Sequence, residues 1–261
     1  MEDVRALGID VGSATVKVVA VDGDGHIVWH ALEATEPRIE DQAARMLASV
    51  PGWGVGRRPA LVATGYGRKL VGQARRSVTE ITCHARGVYR SLGHGGTLVD
   101  IGGQDSKVIR LGAAGEVLDF AMNDKCAAGT GRFLENTARR LGVDLERLGE
   151  VCLAAQDEVA ITSTCTVFAE SEIVSLLAHG VGVEPILKGV HRSLIRRIVA
   201  MVRSVGLSSP LMLSGGVVRN AAIPALLEQE TGQRVVVPPQ PQLMGAYGAA
   251  LSALEAERTA G

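Results

Sequence analysis

The chain is poor in aromatic residues, with two Trp, three Tyr and three Phe in 261 residues. That is too few for the stacked-base surface of a single-strand binder. A basic excess is missing as well: 27 Lys+Arg stand against 28 Asp+Glu, for a formal net charge of -1. The phosphate backbone of a nucleic acid therefore finds no electrostatic partner, and no nucleic acid is expected. No apolar run approaches the roughly 18 residues of a membrane span, and the opening Met1-Glu2-Asp3-Val4-Arg5 lacks the charged-then-apolar layout of a secretion signal. These absences predict a cytoplasmic protein with no membrane contact. Cysteine is scarce: Cys83, Cys126, Cys152 and Cys165 contain no Cys-x-x-Cys pair. A chain this long builds a core without disulfides, and the cytoplasm keeps thiols reduced.

Glycine is plentiful, at 32 residues, and it gathers in short loops behind apolar runs, where chemistry is to be sought. Two of these loops repeat at an offset of 90. Leu7-Gly8-Ile9-Asp10-Val11-Gly12-Ser13-Ala14-Thr15-Val16-Lys17-Val18 aligns with Thr97-Leu98-Val99-Asp100-Ile101-Gly102-Gly103-Gln104-Asp105-Ser106-Lys107-Val108. Asp10/Asp100, Gly12/Gly102, Lys17/Lys107 and Val18/Val108 fall in register, and Gly25/Gly115 then mark a second turn. Each copy reads as strand, glycine turn, strand, turn, strand.

Helices are predicted near Asp41–Val50 and Thr79–Leu92, the latter with Ile81, Ala85, Val88 and Leu92 on one face, and a strand at Ala60–Ala63. Gly93-His94-Gly95-Gly96 breaks the pattern, giving an expected boundary between lobes 1–94 and 95–261. The second lobe is expected to hold helices after Gly131 and at Leu145–Ala155, Val167–Ala178 and Pro185–Val205, and strands at Leu211–Ser214 and Val235–Val237. A last helix, Leu243–Glu257, carries small residues suited to close packing and is placed back against the first lobe. Two α/β lobes facing a cleft follow from this order.

In both copies an Asp ends an apolar strand before small, glycine-containing residues. Backbone N–H groups can then reach phosphate oxygens, and the Asp can hold Mg²⁺ through water. A lone Asp-x-Gly at a hairpin is usually only a turn; two copies argue for nucleotide. Lys17 and Lys107 face either phosphate or solvent. A third element, Leu213-Ser214-Gly215-Gly216-Val217-Val218-Arg219-Asn220, follows a strand and opens a helix. Its glycines allow adenine or ribose to lie on the backbone, with Asn220 beside it; a tight strand-to-helix turn is the plain alternative.

Cys126 and Cys165 sit where two helices are expected to open. Unpaired N–H groups and the partial positive charge of a helix start favour an anionic metal–thiolate centre. Two thiolates cannot hold a four-iron cluster, which takes four, and free Cys is more often a small core residue. Cys152 lies on the stripe Leu145, Leu148, Val151 and is assigned to the core. Cys83 falls off the face of its helix, which leaves burial less obvious and a metal role open; the neighbouring His84 is expected to pack or cap.

The order of two Asp-Gly loops, Ser-Gly-Gly and a small-residue last helix resembles the actin, sugar kinase and Hsp70 superfamily, a ribonuclease H-like α/β fold with duplicated lobes around an ATP cleft. Within it, Asp100–Val108, Asn123-Asp124-Lys125-Cys126-Ala127-Ala128-Gly129-Thr130-Gly131-Arg132-Phe133-Leu134 and Ser163-Thr164-Cys165-Thr166-Val167-Phe168-Ala169-Glu170-Ser171-Glu172 resemble the ATP-hydrolysing activators of 2-hydroxyacyl-CoA dehydratases and the ATPase subunits of benzoyl-CoA reductase, the BadF/BadG/BcrA/BcrD ATPase family. The resemblance implies one [4Fe–4S] cluster held by Cys126 and Cys165 from each subunit of a homodimer. It also implies ATP or ADP with Mg²⁺ at Asp10 and Asp100, and a water-positioning role for Gln104 or Asp105. Nucleotide contacts are expected at Gly12, Ser13, Ala14, Thr15, Lys17, Gly102, Gly103, Gln104, Gly129, Gly131, Gly215, Gly216, Val217 and Asn220. Reduced ferredoxin or flavodoxin would supply an electron that passes on to a partner dehydratase. The rival readings are an aromatic-ring reductase subunit, a small-molecule kinase acting on an N-acetyl sugar, and a non-catalytic ATP-regulated assembly module.

Overall fold

The computed structural model describes residues 4–53, 58–163 and 165–260. The chain divides into two compact units, Met1–His94 with Ala114–Val117 and Gln242–Gly261, and Gly95–Ala113 with Leu118–Pro241. The second unit thus ends at Pro241, and the last helix groups with the first.

The first unit is built on β1 (Ala6–Val11), β2 (Thr15–Val21), β3 (Ile27–Ala34), α1 (Ile39–Ala48), β4 (Ala60–Thr64), β5 (Arg76–Ser77) and α2 (Glu80–Leu92). Its sheet has the order β3-β2-β1-β4-β5. The central strand β1 pairs antiparallel with β2 and parallel with β4, and all six of its residues are buried. A strand covered on both faces reads as continuous apolar sequence instead of alternating. Leu7, Ile9 and Val11 pack with Ala43, Met46 and Leu47 of α1. The C-terminal helix (Met244–Ala260) packs against β1, β4 and α2. Its small residues are needed there: a Cβ on Gly248 would stand 1.8 Å from the Cys83 carbonyl oxygen. α2 starts at the cap Thr79, whose Oγ1 accepts the Thr82 N–H, and stops at Gly93 with φ 79°, a left-handed stop that favours glycine.

The second unit repeats the plan with β6 (Gly96–Ile101), β7 (Ser106–Leu111), β8 (Val117–Asn123), α3 (Gly131–Leu141), α4 (Leu148–Ala154), α5 (Thr166–Ala178), α6 (Val183–Val205), β9 (Leu211–Ser214), α7 (Ala222–Thr231) and β10 (Val235–Val236). Read from β8, its sheet runs β8-β7-β6-β9-β10, the same order as β3-β2-β1-β4-β5. The C-terminal helix completes the series as α8. The core of this unit joins Val99, Ile101 and Val108 of the sheet to Phe133, Leu134 and a stripe on α6 that includes Ile186, Val190 and Leu194.

Two expected helices start differently. Leu145–Arg147 forms a 3₁₀ turn ahead of α4. Ser214-Gly215-Gly216 opens a 3₁₀ turn at Gly216–Arg219, and α7 follows only at Ala222. Asn220 separates the two, its Oδ1 accepting the Ala222 N–H at 3.1 Å in the manner of an Asx turn. No helix among the described residues is long and apolar enough to cross a membrane.

Candidate functional site

The two hairpins are built alike. Asp10 stands opposite Lys17 across β1 and β2, and Asp100 opposite Lys107 across β6 and β7. Each turn is closed by a glycine N–H bonded to a carbonyl three residues on: Gly12 to Thr15 at 3.1 Å, Gly102 to Asp105 at 2.9 Å. Asp10 and Asp100 are 5% and 2% exposed. An unpaired carboxylate at that depth is costly, and in each unit the lysine offsets it. Lys17 Nζ lies 3.2 Å from Asp10 Oδ2. Lys107 Nζ lies 3.5 Å from Asp100 Oδ2 and also pairs with Asp105. Neither lysine stands in solvent, the plainer of the two expectations for them. Ser13, Ala14 and Thr15 are half-buried along the first turn, and Gln104 is exposed at the tip of the second.

The parallel neighbours of the central strands supply a second likeness. Asp10 is level with Thr64 on β4, and Asp100 with Ser214 on β9. Ser214 Oγ donates to Asp100 Oδ1 at 2.7 Å. A glycine with positive φ follows each hydroxyl, Gly65 at 89° and Gly215 at 95°. A Cβ on Gly65 would lie 2.4 Å from Asp10 Oδ1, and one on Gly215 2.3 Å from the Ile101 oxygen. The Thr64-Gly65 pair is therefore the first unit's counterpart of Ser214-Gly215. Sequence reading passed over it, although a hydroxyl and a glycine closing an apolar strand were visible in both places.

The structure gives Asn220 an internal task. Besides the Ala222 bond, its Nδ2 lies 2.9 Å from His191 Nε2, while His191 Nδ1 lies 2.7 Å from the Leu187 oxygen. This arrangement puts the imidazole proton on Nδ1. Burial lowers the His191 pKa, against the two hydrogen bonds that raise it, so the ring is held neutral.

Among the cysteines, Cys83 differs from expectation. It is fully buried, because α8 covers the side of α2 that its own periodicity left open. Burial pushes its thiol up to about 11, and no group of three or more His, Cys, Asp or Glu ligands includes it among the described residues. Cys152 is likewise buried, its thiol also raised to about 11, as the stripe on its helix implied. Cys126 and Cys165 are both half-buried and free of disulfides. Cys165 directly precedes α5. Cys126 does not open α3: it precedes a 3₁₀ turn, Ala127–Gly129, and α3 starts at Gly131. The residues after Cys165 are apolar and exposed, Val167 at 67% and Phe168 at 68%.

α3 is tied to the second hairpin. Gly131 N–H donates to the Gly102 oxygen at 2.9 Å and Arg132 N–H to the Gly103 oxygen at 2.8 Å. A helix start leaves its first N–H groups unpaired; here two of them are spent on the backbone of the second hairpin. The hairpin, the start of α3 and the Cys126 turn thus form one connected piece of the second unit. Arg140 on α3 pairs with Glu170 on α5.

The residues suit the expected groups. Asp10 and Asp100 each set a carboxylate at the end of a strand beside a hairpin, and each is a hard oxygen donor of the kind magnesium takes. For an iron–sulfur cluster the chain offers two accessible thiols, and no set of three or more His, Cys, Asp or Glu ligands occurs among the described residues. Four thiolates require a second copy.

Residues 7–253 match the model of the BadF/BadG/BcrA/BcrD ATPase family. The activator of lactoyl-CoA dehydratase from Anaerotignum propionicum is 43% identical over 252 residues, 96% of this chain and 97% of that one. The solved activator of the 2-hydroxyisocaproyl-CoA dehydratase from Clostridium difficile, with bound ADPNP, has a TM-score of 0.90 at 38% identity and covers 98% of this chain and 96% of its own. A ROK family glucokinase from Streptomyces griseus, with glucose and AMPPNP, shares the fold alone, at a TM-score of 0.63 and 16% identity over 96% of this chain and 99% of its own.

Proposed function

The chain belongs to the BadF/BadG/BcrA/BcrD ATPase family, and on that premise we propose that it is an ATP-hydrolysing activator of a 2-hydroxyacyl-CoA dehydratase, working as a homodimer. In this reading it receives an electron from reduced ferredoxin or flavodoxin and delivers it to the dehydratase. Cys126 and Cys165 of two copies would hold one [4Fe–4S] cluster, which would supply a one-electron carrier. The observation that carries the proposal is the linkage of Gly102 and Gly103 to the start of α3, which joins a phosphate hairpin to the Cys126 turn.

The protein's own groups do the rest. Hairpin N–H groups between the turn-closing bonds, at Ser13–Thr15 and Gly103–Asp105, bind phosphate oxygens, and Asp10 and Asp100 would hold Mg²⁺, which would neutralise phosphate charge. Gln104 or Asp105, at the tip and end of the second turn, orients the attacking water. A nucleotide shifts a conformational equilibrium only by binding its two states differently. The carbonyls of Gly102 and Gly103 carry such a difference into α3, because any movement of the hairpin moves the partners of that helix's first N–H groups.

The test is a reconstitution with a 2-hydroxyacyl-CoA dehydratase, reduced ferredoxin and Mg·ATP. Wild type is expected to hydrolyse ATP and activate the dehydratase. Asp10→Asn and Asp100→Asn should lose both activities, and Cys126→Ser and Cys165→Ser should lose activation alone. ATP turnover that requires an added sugar, unaffected by the cysteine variants, would replace this reading with a kinase.

A further inference from the structure

Residues 155–163, which lead to Cys165, form neither helix nor strand. The cysteine's place is therefore not set by a regular backbone ladder on that side. Glu172, about two helical turns into α5, sends its carboxylate back over that segment, the direction in which helical side chains lean. Its Oε1 accepts the Thr162 N–H and the Thr162 hydroxyl, both at 2.9 Å. Its Oε2 accepts the Ser163 N–H at 2.9 Å and shares the Thr162 N–H at 3.2 Å. One anion thus gathers two successive backbone donors and a hydroxyl just ahead of Cys165. Desolvation raises its pKa, but the bonds from Ser163 and Thr162 outweigh that and hold it near about 2, so the charge persists at every working pH. Charge-assisted bonds of this kind are roughly twice as strong as neutral ones. Across the unit a single bond does similar work for the other cysteine: Asn123 Nδ2 donates to the Cys126 oxygen at 2.8 Å.

We propose that Glu172 is a positioning residue, whose carboxylate fixes the Thr162–Ser163 backbone so that Cys165 presents its sulfur as a cluster ligand. The inference rests on the reading of Cys165 given above. Groups that orient metal ligands without touching the metal typically contribute 10–100-fold to metal affinity. The glutamate sits on α5, the helix that Cys165 directly precedes.

The experiment compares full-length wild type, Glu172→Gln, Glu172→Ala and the surface control Glu150→Gln, each purified without oxygen. Iron release to a ferrous chelator is followed well below every variant's melting temperature, and melting curves and the cluster's EPR spectrum are recorded beside it. Glu172→Gln keeps one acceptor oxygen and is expected to release iron about tenfold faster than wild type, with Glu172→Ala faster still, towards about 100-fold. Glu150→Gln should match wild type. Should Glu172→Ala fail to fold, the isosteric Gln variant carries the comparison. Release at the wild-type rate, with only a lowered melting temperature, would overturn the positioning role. A wild type without iron would instead overturn the cluster reading beneath it.

Discussion

Cys83 and Cys152 have thiols pushed up to about 11 by burial, whereas Cys126 and Cys165 are half-buried. The thiolate is the reacting species, so the four should separate under alkylation. Iron-free protein treated with iodoacetamide at about pH 8 is predicted to gain label at Cys126 and Cys165 and none at Cys83 or Cys152 until denatured. Peptide mass mapping reads this directly, and early labelling of Cys83 would contradict the packing described. The burial of Cys152 was legible because Leu148, Val151 and Cys152 share a helical stripe. That of Cys83 was not, since the helix that covers it, α8, comes from the far end of the chain and leaves no local pattern. The carboxylates divide in the same way. Asp10 and Asp100 could be picked out from the repeat, but their lysine partners became definite only when the hairpins placed Asp10 opposite Lys17 and Asp100 opposite Lys107.

Among the elements, the start of α3 decides how the second hairpin is held. A Cβ on Gly131 would lie 3.1 Å from the Gly102 oxygen, 3.1 Å from Val217 Cγ2 and 3.4 Å from Gly103 Cα. Gly131→Ala must therefore push the hairpin by a few tenths of an ångström, and Gly131→Val by more. Overpacking of this kind costs about 1–3 kcal/mol. The expected result is a lower melting temperature together with weaker Mg·ATP binding, in the order wild type, Ala, Val, measured by calorimetry. Unchanged ATP affinity in both variants would break the proposed linkage between hairpin and helix. Sequence alone located the glycine but assigned it to nucleotide contact. The structure adds that its N–H is given to Gly102, which depends on a fold contact between residues far apart in the chain. The 3₁₀ turns after Cys126 and Gly215 were also read as helix starts, because three or four residues carry too little periodicity to separate the two geometries.

At the scale of the whole molecule, the 90-residue repeat of sequence becomes the same five-strand order in two sheets, with hydroxyl and aspartate level on neighbouring parallel strands in each. That duplication was readable because loop chemistry, an Asp followed by glycine, survives in both copies. The match to Thr64-Gly65 was harder to see, since the strand that ends there is five residues long and lies in a different sequence context. Duplication accounts for nucleotide binding but not for the proposed electron transfer, which would rest on two thiols per chain and hence on a second copy. The most direct measurement of that claim is iron content and absorbance of protein purified without oxygen, taken with its mass in solution. The account predicts a coloured dimer with about two iron atoms per chain, and loss of colour and iron in both Cys126→Ser and Cys165→Ser. A colourless monomer, or a cluster that survives both substitutions, would contradict it.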